Sequence, residues 1–262
     1  MSSLFDMEGV LPHADMLKKL LIANRGEIAI RIAQAAAELG IVTVGIHSED
    51  DATSLHVRRV DEVRPLKGRG AAAYLDIAGV LAASREAGCD AVHPGYGFLS
   101  ENAAFAKACA DAGLVFVGPT PEQLDLFGDK ARARAHAGKN GAPVLSGTDG
   151  AVDAAGVKAF FAKHRKAGIV IKAIAGGGGR GMRIVTQESE IEEAFARASA
   201  EAQAAFGNGA LYAERLIARA RHIEVQIVGD GHGGIAALGE RECTIQRRSQ
   251  KIVELAPSPN LA

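Results

Sequence analysis

The sequence contains no tryptophan, and aromatic residues make up only 5% of it. Set against 31 glycines in 262 residues, that scarcity suits a loop-rich nucleotide enzyme better than a scaffold. Cysteine is sparse as well. Cys89, Cys109 and Cys243 are widely spaced, odd in number and form no Cys-x-x-Cys. Such a set gives neither a disulfide framework nor a zinc site and matches a reducing, cytoplasmic compartment. No excess of either charge is present. A net charge of −1 leaves no basic surplus to neutralise a phosphate backbone, so non-specific nucleic-acid binding is not expected. No run approaches the ~18 consecutive apolar residues of a membrane span. Residues 1–15 contain Asp6, Glu8 and Pro12 and no long apolar run, so they read as a flexible leader and not as a signal peptide.

What is present is an alternation of strands and helices. Residues 20–23 read as a strand and Asn24-Arg25-Gly26 as a turn. Residues 27–39 read as a helix with Ile28, Ile32 and Leu39 on one face and Gly40 as its stop. Strand 41–46, helix 76–87 and strand 90–92 continue the pattern. After a glycine-rich turn at 93–99, Ser100 is expected to cap a helix over 101–112, and 114–117 is a further strand. Strand–helix–strand units of this kind imply a parallel sheet, so residues 16–117 are read as one Rossmann-like α/β domain. A helical connector over 118–144 opens on Thr120-Pro121-Glu122-Gln123, a capping-box pattern. A smaller α+β unit follows: helix 153–166, strand 168–173, a glycine loop, strand 182–186, helix 188–206 and strand 210–217. Residues 222–228 and 235–241 form a hairpin.

The run Lys172-Ala173-Ile174-Ala175-Gly176-Gly177-Gly178-Gly179-Arg180-Gly181 carries the most chemistry. Four successive glycines between two strands cannot fill a core. Their N–H groups can close around an anion without interference from Cβ, and Lys172 and Arg180 suggest a polyphosphate. It is neither a Walker A loop nor a Gly-x-Gly-x-x-Gly fingerprint. Strand alternation turns Lys172 away from the side taken by Ile171 and Ala173. The same rule puts His222, Glu224 and Gln226 on one face of the hairpin, opposite Ile223, Val225 and Ile227. No second histidine lies at ligand spacing, so no metal ligand is assigned in the chain.

Three further segments sharpen the reading: Phe127-Gly128-Asp129-Lys130, His93-Pro94-Gly95-Tyr96-Gly97-Phe98-Leu99-Ser100-Glu101-Asn102, and Glu240-Arg241-Glu242-Cys243-Thr244-Ile245-Gln246-Arg247-Arg248-Ser249-Gln250-Lys251. Together with the glycine run, they resemble the biotin carboxylases of the ATP-grasp superfamily over about 18–261. The last segment is similar to that family's Glu-Arg-[Glu/Asp]-Cys-x-x-Gln-Arg-Arg-x-Gln-Lys, with Ser249 where many members carry histidine.

The resemblance implies a division into the α/β domain at 16–117, the connector at 118–144, an ATP-grasp lid at 145–216 and the opening of the central ATP-grasp domain at 217–262. It implies that Lys130, Lys172 and Gly176 to Gly179 hold the ATP phosphates. Glu214, Arg215, Leu216 and Ile217 would form the adenine hinge, with His222 and Gln246 also near the nucleotide. Lys251 would hold bicarbonate or carboxyphosphate as the catalytic lysine, and Tyr96 and Gly97 would face the biotin and bicarbonate end. Arg31 would lie at a homodimer contact. The implied reaction is that of a ligase: ATP and bicarbonate give carboxyphosphate, which carboxylates biotin on a carrier protein or domain. Magnesium would assist through ligands outside this chain, and a carboxyltransferase would be a further partner. Acetyl-CoA and acyl-CoA carboxylases of fatty acid metabolism are the first acceptor class implied, with pyruvate, propionyl-CoA and urea carboxylases sharing the same front end. The family's magnesium-binding acidic pair finds no counterpart in residues 1–262, so the chain is expected to be an N-terminal fragment with little activity alone. Apolar surface on 222–262 is then expected to be exposed, or covered by another copy. Another carboxyphosphate-forming ligase, such as the carbamoyl-phosphate synthetase large subunit, and a non-catalytic ATP-binding module are the competing readings.

Overall fold

The fold follows from strands that bury both faces at once. In the computed structural model, which describes residues 17–175, 179–231, 233–247, 250–259 and 261, the chain divides into two compact units, 1–126 and 127–262. The first runs β1 (Lys19–Ile22), α1 (Gly26–Glu38), β2 (Val42–His47), β3 (Glu62–Pro65), α2 (Gly70–Tyr74), α3 (Ile77–Ala87), β4 (Ala91–His93), α4 (Ala103–Asp111) and β5 (Val115–Phe116). α5 (Pro121–Gly128) runs across the division between the units. The five strands pair in the order β3-β2-β1-β4-β5, all parallel. Leu20 and Ile22 point to one side and pack with Ala29, Ile32, Ala33 and Ala36 of α1. Leu21 points to the other side and packs with Val80 of α3 and with Phe105 and Cys109 of α4. Period-2 alternation in a strand apolar from Leu20 onward thus feeds two cores, each fully buried aliphatic side chain contributing about 1.5–3 kcal/mol.

The α1 face differs from expectation. Its buried positions are three alanines and Ile32, while Leu39 is 67% exposed. Leu39 is the residue at which the helix ends, with φ −95° and ψ 1°, so helical periodicity no longer sets its direction. The α4 cap differs too. Asn102, not Ser100, caps the helix: its Oδ1 accepts the Phe105 N–H at 2.9 Å. β3 and α2 have no counterpart in the sequence reading, since neither shows a clear apolar period. The capping box forms as expected, with Thr120 N–H on Gln123 Oε1 and Gln123 N–H on Thr120 Oγ1.

The second unit holds α6 (Lys130–Lys139), α7 (Ala154–His164), β6 (Ile169–Ala173), β7 (Met182–Val185), α8 (Ile191–Phe206) and β8 (Leu211–Arg215). β9 (Ile223–Gly229), β10 (Ile235–Glu242), β11 (Gln246–Arg247) and β12 (Gln250–Lys251) follow. An antiparallel sheet β7-β6-β8 turns Ile169, Ile171 and Ala173 toward α7 and α8. β9 and β10 form a hairpin with a bulge between Ala237 and Glu240. Its apolar face is open, with Val225, Ile227 and Ile235 at 55%, 54% and 78% exposure. Gly176, Gly177, Gly178 and Ser249 lie outside the described residues.

Gly181 closes the described end of the glycine run. Its φ is +65°, and a Cβ there would lie 2.9 Å from Ala173 Cβ and 3.1 Å from Ala202 Cβ. Its carbonyl accepts the Ala173 N–H at 2.9 Å. Gly181→Ala should therefore lower stability by about 1–3 kcal/mol, through left-handed strain and overpacking against α8. Chemical denaturation of the purified chain reads this directly, and an unchanged midpoint would show that the α8 seam yields freely.

Candidate functional site

Three groups of predicted site residues take definite positions. The first is built on β6 and β8. With Ile171 and Ala173 committed to the core, Lys172 emerges on the opposite face, where its cross-strand neighbour is Tyr212. Glu214, two residues along β8, shares that face. Lys172 Nζ meets Glu214 Oε2 at 2.5 Å and Arg134 Nη1 meets Glu214 Oε1 at 2.6 Å. Tyr212 Oη also donates to Glu214 Oε1 at 3.3 Å, and burial, seconded by the Glu214 charge, drives the Tyr212 phenol strongly upward. The Glu214 side chain is only 9% exposed, while Lys172 keeps 31% and Arg134 20%. α6 is capped by Asp129, whose Oδ1 accepts the N–H groups of Ala131 and Arg132. Lys130 opens α6, and its N–H donates to Ile174 O at 3.3 Å, which ties it to the chain two residues beyond Lys172. Lys172 and Glu214, chosen from distant segments, therefore pair, and the Lys130 backbone joins the same end of β6. Arg134 was missed: a lysine- and arginine-rich helix gives no sequence sign that one of its cations faces a carboxylate 80 positions away. At the strand end, Arg215 N–H donates to Ser146 O and Leu216 N–H to Gly168 O. Ile217 is half-exposed just beyond them.

The second group lies at the base of the β9–β10 hairpin. Gln246 Nε2 donates to Cys243 O and lies 2.9 Å from His222 Nδ1. With Nδ1 accepting, the proton sits on His222 Nε2, which lies 3.3 Å from Glu224 Oε2. Glu224 also takes Lys251 Nζ at 2.5 Å, and the Arg241 guanidinium. Lys251, first of all, holds the Glu224 carboxyl below its ordinary range, with Arg241 adding to the effect. Burial pushes the Cys243 thiol up, and the Glu224 charge pushes it further. His222, Gln246 and Lys251 are thus brought together around Glu224, which the sequence showed only as the strand neighbour of His222. A hollow of about 400 Å³ lined by Ala220, Arg221, His222, Ile223, Thr244 and Gln246 opens beside them. Glu224, Cys243 and Glu254 could bring three ligand atoms within 4.8 Å of one another. The set does not suit magnesium, which demands hard oxygen ligands. One donor is a thiol, and Arg241 already bridges Glu224 and Glu254.

The third group belongs to the first unit. β1 and β4 are neighbours in the sheet, and the connections leaving them run to opposite edges and opposite faces, which makes their carboxyl ends the switch point where open α/β sheets bind ligands. A groove of about 820 Å³ lies there, lined by Asn24, Arg25, Glu27, Asp51, His56, Tyr96, Gly97 and Phe98 among others. Asn24, 2% exposed, donates from Nδ2 to Pro94 O and Tyr96 O and accepts the Arg25 N–H on Oδ1. A Cβ at Gly95 (φ +64°) would strike Asn24 Nδ2 at 2.8 Å, so only glycine fits there. Tyr96 is 57% exposed, with its hydroxyl on Glu27. Phe98 has φ +42°, a conformation costing a bulky residue about 1–3 kcal/mol. Its ring stacks on Tyr74 at 5.1 Å, and the Arg25 guanidinium lies 5.7 Å from the Tyr74 centroid and 5.9 Å from that of Phe98. Burial would raise the Asp51 carboxyl, but hydrogen bonds from Arg25, Tyr74 and Ser54 outweigh it and bring it down to about 2.

Two outcomes follow. Glu214→Gln leaves two cations facing a neutral amide and should cost about 2–3 kcal/mol, below the usual range for breaking a buried pair because both cations keep some solvent. The double variant Glu214→Gln/Lys172→Met should recover part of that loss in thermal unfolding. Asp51, depressed from an ordinary value of about 3.9, contributes stability that is present above pH ~4 and lost as the pH falls through about 2. Unfolding measured from pH 5 to 2 should show that loss in the parent chain and a flatter profile in Asp51→Asn.

Comparison with known proteins identifies the family. The family described as biotin carboxylase, N-terminal domain, matches residues 16–124, and carbamoyl-phosphate synthase L chain, ATP binding domain, matches 129–262. Pyruvate carboxylase of Staphylococcus aureus is 52% identical over 249 residues, covering 94% of this chain and 22% of that protein. Biotin carboxylase of Nostoc is 49% identical over 244 residues, covering 93% and 55%. The chain therefore spans about half of the biotin carboxylase it matches and about a fifth of the pyruvate carboxylase. Among solved structures, a Campylobacter jejuni biotin carboxylase–β-γ-ATP complex superposes with a TM-score of 0.90 at 41% identity, covering 94% of this chain and 56% of that one. The biotin carboxylase domain dimer of Hydrogenobacter thermophilus 2-oxoglutarate carboxylase, with MgADP, ADP and bicarbonate, gives 0.89 at 43%, covering 95% and 55%. The chain belongs to the biotin carboxylase family, with that family's N-terminal domain followed by an ATP-binding domain of the carbamoyl-phosphate synthase type.

Proposed function

We propose that this chain supplies the ATP-binding side of a biotin-dependent carboxylase in which bicarbonate attacks the γ-phosphorus of ATP, releasing ADP, and the resulting carboxyphosphate passes its carboxyl group to biotin on a carrier domain. The observation that carries this is the convergence of Lys172 and Arg134 on a single buried carboxylate, with the Lys130 backbone tied to Ile174 O beside them. One glutamate against these cations leaves surplus positive charge on the partly exposed face of β6, which suits a polyphosphate. Glu214 acts by holding Lys172 and Arg134 in place so that little side-chain freedom is lost when phosphate binds. Gly176 to Gly179 would close over that phosphate with their N–H groups. The N–H donors of Arg215 and Leu216 are used within the protein, so adenine reading falls to the backbone beyond them, at Ile217.

Lys251, His222 and Gln246 form the second working group. Glu224 orients Lys251 in the absence of substrate and competes with a carboxylate or phosphate for it. Binding of bicarbonate would draw Lys251 from Glu224, leaving Arg241 to compensate that carboxylate. Tyr96 and Gly97 serve the biotin and bicarbonate end. Residues 145–216 would be the lid, and 217–262 the opening of the central ATP-binding domain. Arg31, exposed on α1, is the position assigned to a homodimer contact.

The final acceptor is proposed to be a 2-oxo acid such as pyruvate, because the relatives above include pyruvate and 2-oxoglutarate carboxylases. They do not support the acetyl-CoA and fatty acid assignment that the resemblance first implied. Among the described residues no helix is long and apolar enough to cross a membrane.

Calorimetric titration of ATP into the chain tests the phosphate site. Lys172→Ala should weaken binding tenfold or more, whereas Lys166→Ala, on a surface turn, should leave it unchanged. Equal affinity for all three proteins would remove the Lys172 assignment.

A further inference from the structure

Phe98 is the one bulky residue in the β4–α4 loop held at positive φ, inside a turn closed by the Ser100 N–H on Gly97 O at 2.9 Å. Three further elements hold its ring from outside the loop. Tyr74, 1% exposed at the end of α2, stacks its ring on Phe98 at an interplanar angle of 29°. Arg25, from the turn after β1, lays its guanidinium over both rings. Asp51, from the short turn after β2, fixes Arg25 Nη1 at 2.9 Å and accepts the Tyr74 hydroxyl at 2.8 Å. A guanidinium is planar, so it can lie flat along an aromatic face while the carboxylate pins its edge, which the compact lysine ammonium cannot do. The strained residue sits directly after Tyr96 and Gly97 at the carboxyl ends of β1 and β4, and strain of this kind collects where a fold pre-sets a site.

The geometry points to Arg25 as a positioning residue, anchored by Asp51, that holds Phe98 in its left-handed conformation and thereby presets Tyr96 and Gly97 for the carboxyl acceptor, biotin. This rests on the reading of Tyr96 and Gly97 as the biotin and bicarbonate end, and concerns its biotin side. Arg25 touches no reacting atom on this account. Its effect is on the acceptor's binding, not on the formation of carboxyphosphate.

Arg25→Lys and Phe98→Leu in the full-length protein carrying these residues test it, with free biotin as acceptor. The expected result is a KM for biotin raised at least tenfold in both. Bicarbonate-dependent ATP hydrolysis without biotin, and the KM for ATP, should stay within twofold, and Phe98→Tyr, which keeps the ring, should behave as the parent. Should Arg25→Lys fail to fold, Asp51→Asn interrogates the same anchor. Tyr96→Ala separates the two levels of the argument. If it raises the KM for biotin while Arg25→Lys and Phe98→Leu do not, the positioning role is overturned and the biotin-end reading stands. If Tyr96→Ala also leaves that KM unchanged, the reading falls and the proposal with it. A parallel loss of acceptor-independent ATP hydrolysis in the Arg25 and Phe98 variants would show a general structural role and likewise overturn the proposal.

Discussion

A carboxylate that is nine-tenths buried must be answered by cations, and in the second unit Glu214 is answered twice, by Lys172 from β6 and Arg134 from α6. Leaving one such charge uncompensated costs several kcal/mol, so the pairing constrains everything it touches. It sets the approach of α6 to the sheet, because the same Arg134 also bonds Leu145 O. The alternation of β6 brings Lys172 out on the face where Glu214 lies, and the Lys130 N–H on Ile174 O ties the start of α6 to the end of β6. The polyphosphate site proposed above would in this sense be a by-product of satisfying one glutamate. The excess of cations over that glutamate is what remains available to a ligand.

The hairpin base works by the same rule with a different outcome. Glu224 gathers Lys251, Arg241 and His222, and Gln246 fixes the tautomer of that histidine. Here the carboxylate is more accessible, at 22%, so its partners are easier to exchange. In the proposed function, the tightly held pair would be a phosphate seat present before binding, and the looser one a lysine that changes partner when the substrate arrives.

In the first unit the constraint is steric. Asn24 leaves no room for a side chain at Gly95, and the stack of Tyr74, Phe98 and Arg25 holds the loop that follows. The central strand β1 delivers Asn24 and Arg25 to that point because its apolar residues are divided between two cores, leaving only its carboxyl end for polar work.

Much of this was legible in the sequence. Apolar runs separated by helical periods gave the parallel sheet apart from β3, because burial on two faces leaves a continuous hydrophobic signal; the two-residue strands β11 and β12 went unread. Strand alternation gave the direction of Lys172 and the shared face of His222 and Glu224, because the period of two is fixed by the backbone. Short elements were not legible: β3 and α2 are too brief to show a period. Leu39 misled because a helix period says nothing past the residue where the helix ends. The cap at Asn102 was read two residues early, as Ser100, since both residue types cap and only the fold selects one. By itself, then, the sequence determined the longer elements, most of their faces and the family motifs. Only the tertiary structure decided that Arg134 and Lys172 share Glu214, that Lys251 and His222 share Glu224, and that Arg25 lies over Phe98. These pairings join residues tens of positions apart, and the energy that selects them exists only once burial has removed the competing water.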